Sequence, residues 1–146
     1  MIEPVSERNL EDVLPLIEQY QAFYQVKEIS SDKNRDFFSQ FGESNPQGCQ
    51  FIFYEEGKAV GFATVYFSFA STIAEKVAVL NDLYVCSEVR GKGIGRQLIE
   101  HCRGYALKHG AVRLQWVTAP ENTQAQKLYD SLETSKSTWC FYTYNT

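Results

Sequence analysis

The stretch Val77 to Leu107 reads VAVLNDLYVCSEVRGKGIGRQLIEHCRGYAL and contains three consecutive patterns. Its first part, Val77 to Cys86, is apolar and β-branched apart from Asn81 and Asp82, which is typical of a buried strand. A short glycine-containing turn follows, and beyond it the apolar residues recur at helical spacing. The sequence therefore predicts a buried strand, a turn and an amphipathic helix that ends near His109.

The turn has the composition of an anion-binding site. Gly91, Gly93 and Gly95 let main-chain N–H groups approach a ligand closely, and the first turn of a helix offers unpaired N–H groups and a partial positive charge. Full positive charges come from Arg90, Lys92 and Arg96. The spacing matches neither G-x-G-x-x-G nor a P-loop. The alternative is an ordinary turn with solvated arginines, but three glycines and three cations exceed what a turn needs.

Arg90, Gly93 and Gly95 also form the pattern R-x-x-G-x-G. Between an apolar strand and an amphipathic helix, this pattern resembles the coenzyme-binding loop of the GNAT family of N-acetyltransferases. Within that family the chain is most similar in appearance to the diamine and polyamine acetyltransferases. The resemblance implies that acetyl-CoA is the co-substrate, that Gly91 to Arg96 hold its pyrophosphate, and that no metal takes part.

The rest of the chain predicts a mixed α/β (α+β) fold. Further strands are expected at residues 2–5, 49–54, 60–69, 112–118 and 138–144, and further helices at 7–24, 31–41 and 123–132. Ser6 is a candidate N-cap of the first helix. The resemblance implies a GNAT-type fold, with a mainly antiparallel central sheet flanked by helices and a splay between the fourth and fifth strands.

Length and composition fit a single N-acetyltransferase domain over residues 1–146. No apolar run has the length of a bilayer span, and the N-terminus shows no secretory signal pattern, so we expect a cytoplasmic protein. The four cysteines have no C-x-x-C pair and are expected to be free thiols, three of them buried; they are Cys49, Cys86, Cys102 and Cys140. The net charge of −4 argues against nucleic acid as the main partner. The lack of a bilayer-length apolar run argues against a membrane partner.

The predicted central strand is the second part of the coenzyme site. In the family, the pantetheine arm of acetyl-CoA lies in the splay and pairs with the exposed strand edge through main-chain groups. The resemblance places those groups at Leu83, Tyr84 and Val85; the alternative is that these residues only fill the core. The complete set of expected coenzyme-binding residues is Leu83, Tyr84, Val85, Arg90, Gly91, Lys92, Gly93, Ile94, Gly95, Arg96 and Asn122.

Asn122 and Tyr129 resemble a second family motif, N-x-x-A-x-x-L-Y, on the helix at 123–132. Asn122 is also a good helix N-cap, and both roles are compatible. The family's equivalent tyrosine donates a proton or a hydrogen bond to the departing thiolate. A phenol with a pKa of about 10 remains a donor at neutral pH, so Tyr129 is expected to be the catalytic acid. The alternative is a core tyrosine.

The acceptor amine must lose a proton before it can attack, at a cost of about 4.6 kcal/mol at pH 7 for a free alkylammonium. The polyamine-type relatives carry an acidic pair in L-E-D-F-F-V, and here the matching run is Leu80-Asn81-Asp82-Leu83-Tyr84-Val85. Asp82 is expected to bind or deprotonate the amine, although a structural role in the strand is equally compatible. The remaining substrate-binding candidates are Tyr24, Glu28 and Asn81.

These observations together predict an enzyme that transfers the acetyl group of acetyl-CoA to a primary amine of a small molecule, by direct attack in a ternary complex. Polyamines, diamines and amino acids are the expected acceptor classes. Two alternatives remain open: acetylation of a protein lysine or N-terminus, and a non-catalytic CoA-binding sensor, which Asn81 in place of the expected acid favours. The resemblance also implies a homodimer.

Overall fold

The computed structural model describes residues 1–146, which form two units, Met1–Trp116 and Val117–Thr146. A single domain over the whole chain stays a prediction. The first unit contains five strands, which are β1 (Ile2–Pro4), β2 (Gly48–Glu55), β3 (Lys58–Ala70), β4 (Glu75–Val85) and β5 (Leu114–Gln115). Its helices are α1 (Leu10–Phe23), α2 (Ser31–Phe38) and α3 (Ile94–Lys108), and the second unit contains α4 (Thr123–Asp130).

The five strands form one sheet in the order β1-β2-β3-β4-β5. The first three pairings are antiparallel and the last, between β4 and β5, is parallel. That parallel pairing joins only Ala78 to Leu114 and Val79 to Gln115, although β4 continues to Val85. The predicted mixed sheet with a splay between the fourth and fifth strands is therefore confirmed.

Each face of the sheet packs against a helix. Under α1, the buried side chains of Val13 and Ile17 belong to the same cluster as Ile52 of β2 and Phe62 of β3. On the other face, α3 packs Tyr105 against Phe51, with ring centroids 5.1 Å apart. Complete burial of such a side chain contributes about 1.5–3 kcal/mol, so these layers hold the strands in a fixed register.

The predicted start of the first helix is wrong. The helix begins at Leu10 and its N-cap is Asn9, whereas Ser6 lies in the preceding turn. The Asn9 side chain bends back and accepts a hydrogen bond from the Ser6 main-chain N–H at 2.7 Å. That contact closes the turn before the helix. Pro15 lies inside α1, which continues unbroken to Phe23.

Two predicted strands also need correction. The strand predicted at residues 112–118 is reduced to Leu114–Gln115, because only these two residues pair with β4. Residues 138–144 form no strand. Their aromatic side chains are strongly exposed, from 83% at Trp139 to 94% at Tyr144. An aromatic, β-branched composition suits a pleated sheet, but a strand also needs a neighbour to complete its hydrogen bonds.

The cysteine prediction is confirmed, since all four are free thiols and three are buried. None of the helices combines the length and the apolar character that crossing a bilayer would demand.

Candidate active site

The loop before α3 has the backbone conformation that glycine provides. Gly91 and Gly93 have φ angles of +84° and +80°, in a region that residues other than glycine adopt only with strain. A Cβ built at either position would meet no atom within 4 Å, so the space beside both glycines is open. Residues 91–93 are exposed. This loop can therefore receive a ligand without rearranging its neighbours.

The N-terminus of α3 is not capped by a side chain. Gly93 occupies the N-cap position, and the first helical turn contains no acidic residue that would compete with an anion. The main-chain hydrogen bonds of the helix begin with Gln97, which donates to the Gly93 carbonyl at 3.1 Å. The amides ahead of Gln97, in a helix of 15 residues, carry the positive end of its dipole. This arrangement fits the diphosphate of a coenzyme.

Two of the expected cations have partners of their own. Arg90 donates from Nε to the Val85 carbonyl at 2.9 Å, which ties the loop to the end of β4. Lys92 forms an exposed salt bridge of 3.2 Å with Glu55 at the end of β2. Main-chain amides consequently carry more of the loop's anion-binding capacity than its three positive charges suggest.

A bulge in β4 changes which residues face the splay. Thr64 of β3 lies opposite Asp82, while its neighbour Val65 lies opposite Leu80, so Asn81 is the extra residue. Before the bulge, the Ala78 N–H bonds to Arg113 on the β5 side; after it, the Cys86 N–H bonds to Val60 on the β3 side. Across the bulge, the alternation of main-chain groups between the β5 side and the β3 side is therefore shifted by one residue.

The shift exposes alternate main-chain groups of β4. Since Cys86 and Tyr84 direct their main-chain groups to β3, those of Leu83 and Val85 point the other way, where β5 no longer pairs. We call residues 80–85 on this side the open edge of β4. Of the three residues expected to bind coenzyme through their main chain, Leu83 and Val85 face the open edge and Tyr84 does not.

The Asp82 side chain projects from this segment onto the sheet face that α1 covers, and the residue is only 8% exposed. Its carboxylate accepts hydrogen bonds from the side chains of Thr64, Tyr20 and Asn81, the last at 3.2 Å between Nδ2 and Oδ1. Burial raises the pKa of this carboxyl, and the three hydrogen bonds oppose the rise. Such a group combines the properties of a cation-binding residue and a general base.

An aromatic cluster lies on the same face of the sheet as this acid. Tyr20 of α1 makes edge contacts with Phe62 at 5.5 Å and with Tyr84 at 6.1 Å between ring centroids. Tyr24 adds a contact to Tyr20 at 5.0 Å but is 55% exposed at the end of α1. A ring face close to a buried carboxylate is a favourable environment for an alkylammonium group.

A groove of about 500 Å³ opens on the same unit, and Tyr66 is among its lining residues. Burial, and secondly the negative charge of Asp82, raise the pKa of the Tyr66 phenol. The groove is lined by Phe37, Phe41, Pro46, Gln47, Tyr66, Phe67, Phe69 and Lys76. Its apolar character suits the carbon skeleton of a small molecule.

The other expected substrate residues are more peripheral. Glu28 is exposed in the loop between α1 and α2, and no hydrogen bond or salt bridge of its side chain is found. Asn81 is exposed at the bulge, where its amide donates to Asp82. Asn81 therefore supports the neighbouring carboxylate as a donor, in the position where the polyamine-type pattern has an acid.

In the second unit, Asn122 is the N-cap of α4, and its Oδ1 accepts a hydrogen bond from the Ala125 N–H at 3.3 Å. Tyr129 lies two turns further along this helix and is half-buried. Its carbonyl accepts hydrogen bonds from the Leu132 N–H and the Thr134 hydroxyl, which end the helix. The predicted capping role of Asn122 is confirmed.

Sequence reasoning missed Tyr20 and Thr64 as neighbours of Asp82, and Gln50 as the partner of Thr64. Gln50, Thr64 and Asp82 lie side by side on β2, β3 and β4, and we call them the polar row. The available signal was a polar residue inside each of three apolar strands. Which of these residues become neighbours depends on strand register, which the sequence alone does not specify.

Comparison with known proteins agrees with this geometry. The model of the acetyltransferase (GNAT) family matches residues 13–133, which includes the loop, the open edge and α4. The chain belongs to this family, and it is an N-acetyltransferase.

Three similar proteins illustrate the relationship. The uncharacterized N-acetyltransferase YhfO of Bacillus subtilis is 31% identical over 118 residues, which are 81% of this chain and 78% of that protein. The D-amino-acid N-acetyltransferase HPA3 of Saccharomyces cerevisiae is 43% identical over 75 residues, 51% of this chain and 47% of the yeast protein. The crystal structure of a probable acetyltransferase has a TM-score of 0.85 at 27% identity, and covers 100% of this chain and 97% of that one.

Proposed function

We propose that this protein acetylates a primary amine of a small molecule. The observation that carries the proposal is the buried carboxylate of Asp82, which lies near aromatic rings on the α1 face of β4, next to the open edge. A donor bound along the open edge, in the plane of the sheet, and an amine held at Asp82 on the adjoining face would meet at the same segment of β4. This arrangement suits direct attack in a ternary complex.

Asp82 binds the acceptor as an ammonium and removes one proton, directly or through water. The neutral amine then attacks the carbonyl carbon of the acetyl thioester, the C–N bond forms, and the C–S bond breaks. The departing thiolate takes a proton, for which we propose the Tyr129 hydroxyl. The nitrogen of the adduct then passes its second proton, through water, to the tyrosinate, and Asp82 returns the first proton to solvent. The products are the N-acetyl amine, the CoA thiol and one released proton.

The coenzyme is bound, in this proposal, mainly by main-chain groups. The amides at Gly91 to Arg96 hold the diphosphate, and Leu83 and Val85 pair with the amide-bearing arm. Arg90 and Lys92 screen the phosphate charge, Ile94 anchors the helix start as a buried side chain, and Asn122 fixes the start of α4. Tyr84 directs its main chain to β3, so in this proposal it takes part in the site only through its ring.

The acceptor class follows from the acid and its aromatic surroundings. A single buried carboxylate selects one ammonium group, and the neighbouring groove accommodates an apolar skeleton. The yeast relative is named for D-amino acids as substrates, so amino acids are one class to test, together with diamines, polyamines and aralkylamines. Acetylation of a protein lysine or N-terminus is the second candidate.

An acceptor screen tests the proposal. Purified protein and acetyl-CoA are incubated with single amines from each class and with a lysine-containing peptide, and CoA release is followed together with the mass of the product. We expect turnover with at least one small amine and little with the peptide. Binding of acetyl-CoA without transfer to any acceptor would contradict the proposal and favour a sensor.

We also propose a cytoplasmic homodimer. The support is the aromatic C-terminal segment, where Trp139, Phe141, Tyr142 and Tyr144 are each at least 83% exposed. Contiguous exposed apolar side chains are typical of surfaces that contact a partner. Sedimentation of the full chain measures the oligomer, and a strictly monomeric protein would contradict it.

A further inference from the structure

The carboxylate of Asp82 is the end of a hydrogen-bonded row that crosses three strands. Gln50 of β2 lies opposite Thr64 of β3, and Thr64 lies opposite Asp82 of β4. All three side chains are on the sheet face under α1 and are buried, with exposures of 0%, 0% and 8%. Polar groups in such a position are costly unless they are hydrogen-bonded, so their mutual bonds determine how each is oriented.

The available donors fix the direction of the hydrogen bonds in the polar row. The Gln50 amide donates from Nε2 to Thr64 Oγ1 at 3.2 Å. A threonine hydroxyl has one proton to donate, and this oxygen is already accepting from Gln50. The Thr64 hydroxyl is also hydrogen-bonded to Asp82, and there it must be the donor because an ionised carboxylate only accepts.

We propose that Gln50 and Thr64 are positioning residues for the reaction, which direct a hydroxyl proton onto the Asp82 carboxylate and fix its orientation toward the amine. This inference rests on the proposed role of Asp82. The orientation of the Asp82 carboxylate would then depend on Gln50, whose side chain lies two strands away and touches neither substrate.

The number of acceptor positions on the carboxylate supports this role. A carboxylate has about four lone-pair sites, and three are occupied by donors from Thr64, Tyr20 and Asn81. About one site remains for an ammonium group. A carboxylate held in this way presents a single direction to its ligand, which favours one primary amine over a diffuse cation.

Apart from burial, the three hydrogen-bond donors are the main influence on the ionisation of Asp82. The titratable groups that face Asp82 are the phenols of Tyr20 from α1 and Tyr66 from β3. Burial raises the pKa, and the bond from Thr64 is the first of the effects that lower it. Removal of that bond should therefore raise the pKa further.

Thr64→Val tests the inference, because valine has nearly the same shape and no hydroxyl. We expect the acid limb of the kcat/KM profile, and the carboxyl pKa of Asp82 measured by carbon-13 NMR, to move up by about one pH unit. Gln50→Leu should move both in the same direction by less, since Thr64 keeps its proton but loses the group that directs it.

Thr64→Ser is the matched control and should restore the wild-type profile, since serine keeps the hydroxyl. An NMR shift without a shift in the rate profile would show that Thr64 controls the Asp82 carboxyl, but would contradict the proposed role of Asp82 in the reaction and with it the positioning role. An unchanged Asp82 pKa in folded Thr64→Val would overturn the inference, because it would mean that the Thr64 proton points to Gln50.

Discussion

The loop at residues 90–96 and the polar row at Asp82 are built in opposite ways. The loop is contiguous in sequence, is exposed from Arg90 to Gly93, and offers main-chain amides that glycines make accessible. The polar row is assembled from three strands, is buried, and acts through side chains whose partners are set by register. In our proposal, the first region binds the diphosphate of the coenzyme, whereas the second binds the acceptor. The difference shows why the donor is easier to recognise than the acceptor.

If the loop acts through its backbone, Gly93→Val should have the largest effect. A β-branched residue at φ of +80° distorts the loop, and its Cβ enters the open space beside the helix start. We expect acetyl-CoA affinity to fall about 1,000-fold, the equivalent of three hydrogen bonds to charged oxygen atoms, as measured by calorimetry. Gly110→Val is the matched control, since Gly110 has a φ of +84° at the other end of α3. Equal losses in both variants would mean that strain alone explains the result.

Asp82→Asn should separate the two regions. The amide keeps the size of the side chain but cannot accept a proton, so kcat/KM for the amine should fall about 100-fold while acetyl-CoA affinity stays the same. Steady-state kinetics and calorimetry measure the two quantities. Glu28→Gln changes an exposed acid in the loop between α1 and α2, and should have little effect. A larger loss in Glu28→Gln than in Asp82→Asn would move the base to that loop.

Tyr129→Phe should have a smaller effect, on turnover only. A thiol with a pKa of about 8.5 is already a good leaving group, so loss of the phenolic donor should lower kcat by about tenfold, with coenzyme affinity unchanged. The reference is Tyr144→Phe, which removes a hydroxyl from an exposed residue. Should the kcat of Tyr129→Phe equal that of the wild type at every pH, the tyrosine is not the proton donor.

The smallest effect concerns stability. Since burial raises the pKa of Asp82 in the folded protein, the native state binds this proton more tightly than the unfolded chain. The stabilising contribution is complete below the unfolded pKa, and is lost as the pH rises through the higher folded value. The free energy of unfolding of the wild type should therefore fall across this range relative to Asp82→Asn, as measured with urea at several pH values. Parallel pH profiles of the two proteins would contradict the shift.

The same contrast explains how much the sequence could predict. The buried strand, the glycine turn and α3 follow from local patterns, and so does the cap at Asn122. The strand predicted at residues 138–144 was wrong because a strand depends on a neighbour that composition does not specify. The bulge at Asn81 and the contact of Thr64 with Asp82 depend on register between strands that are distant in sequence. Acids such as Asp82 can be identified as candidates from the sequence, but the groups that control them cannot.

Amide hydrogen exchange with and without CoA tests the central claim most directly. In the free protein, the amide of Tyr84 should already be protected by its pairing with β3, whereas those of Leu83 and Val85 should exchange quickly at the open edge. Addition of CoA should slow exchange at Leu83, Val85 and residues 91–96, and leave Tyr84 nearly unchanged. If CoA binds but these amides exchange as they do in the free protein, the open edge and the loop are not the donor site.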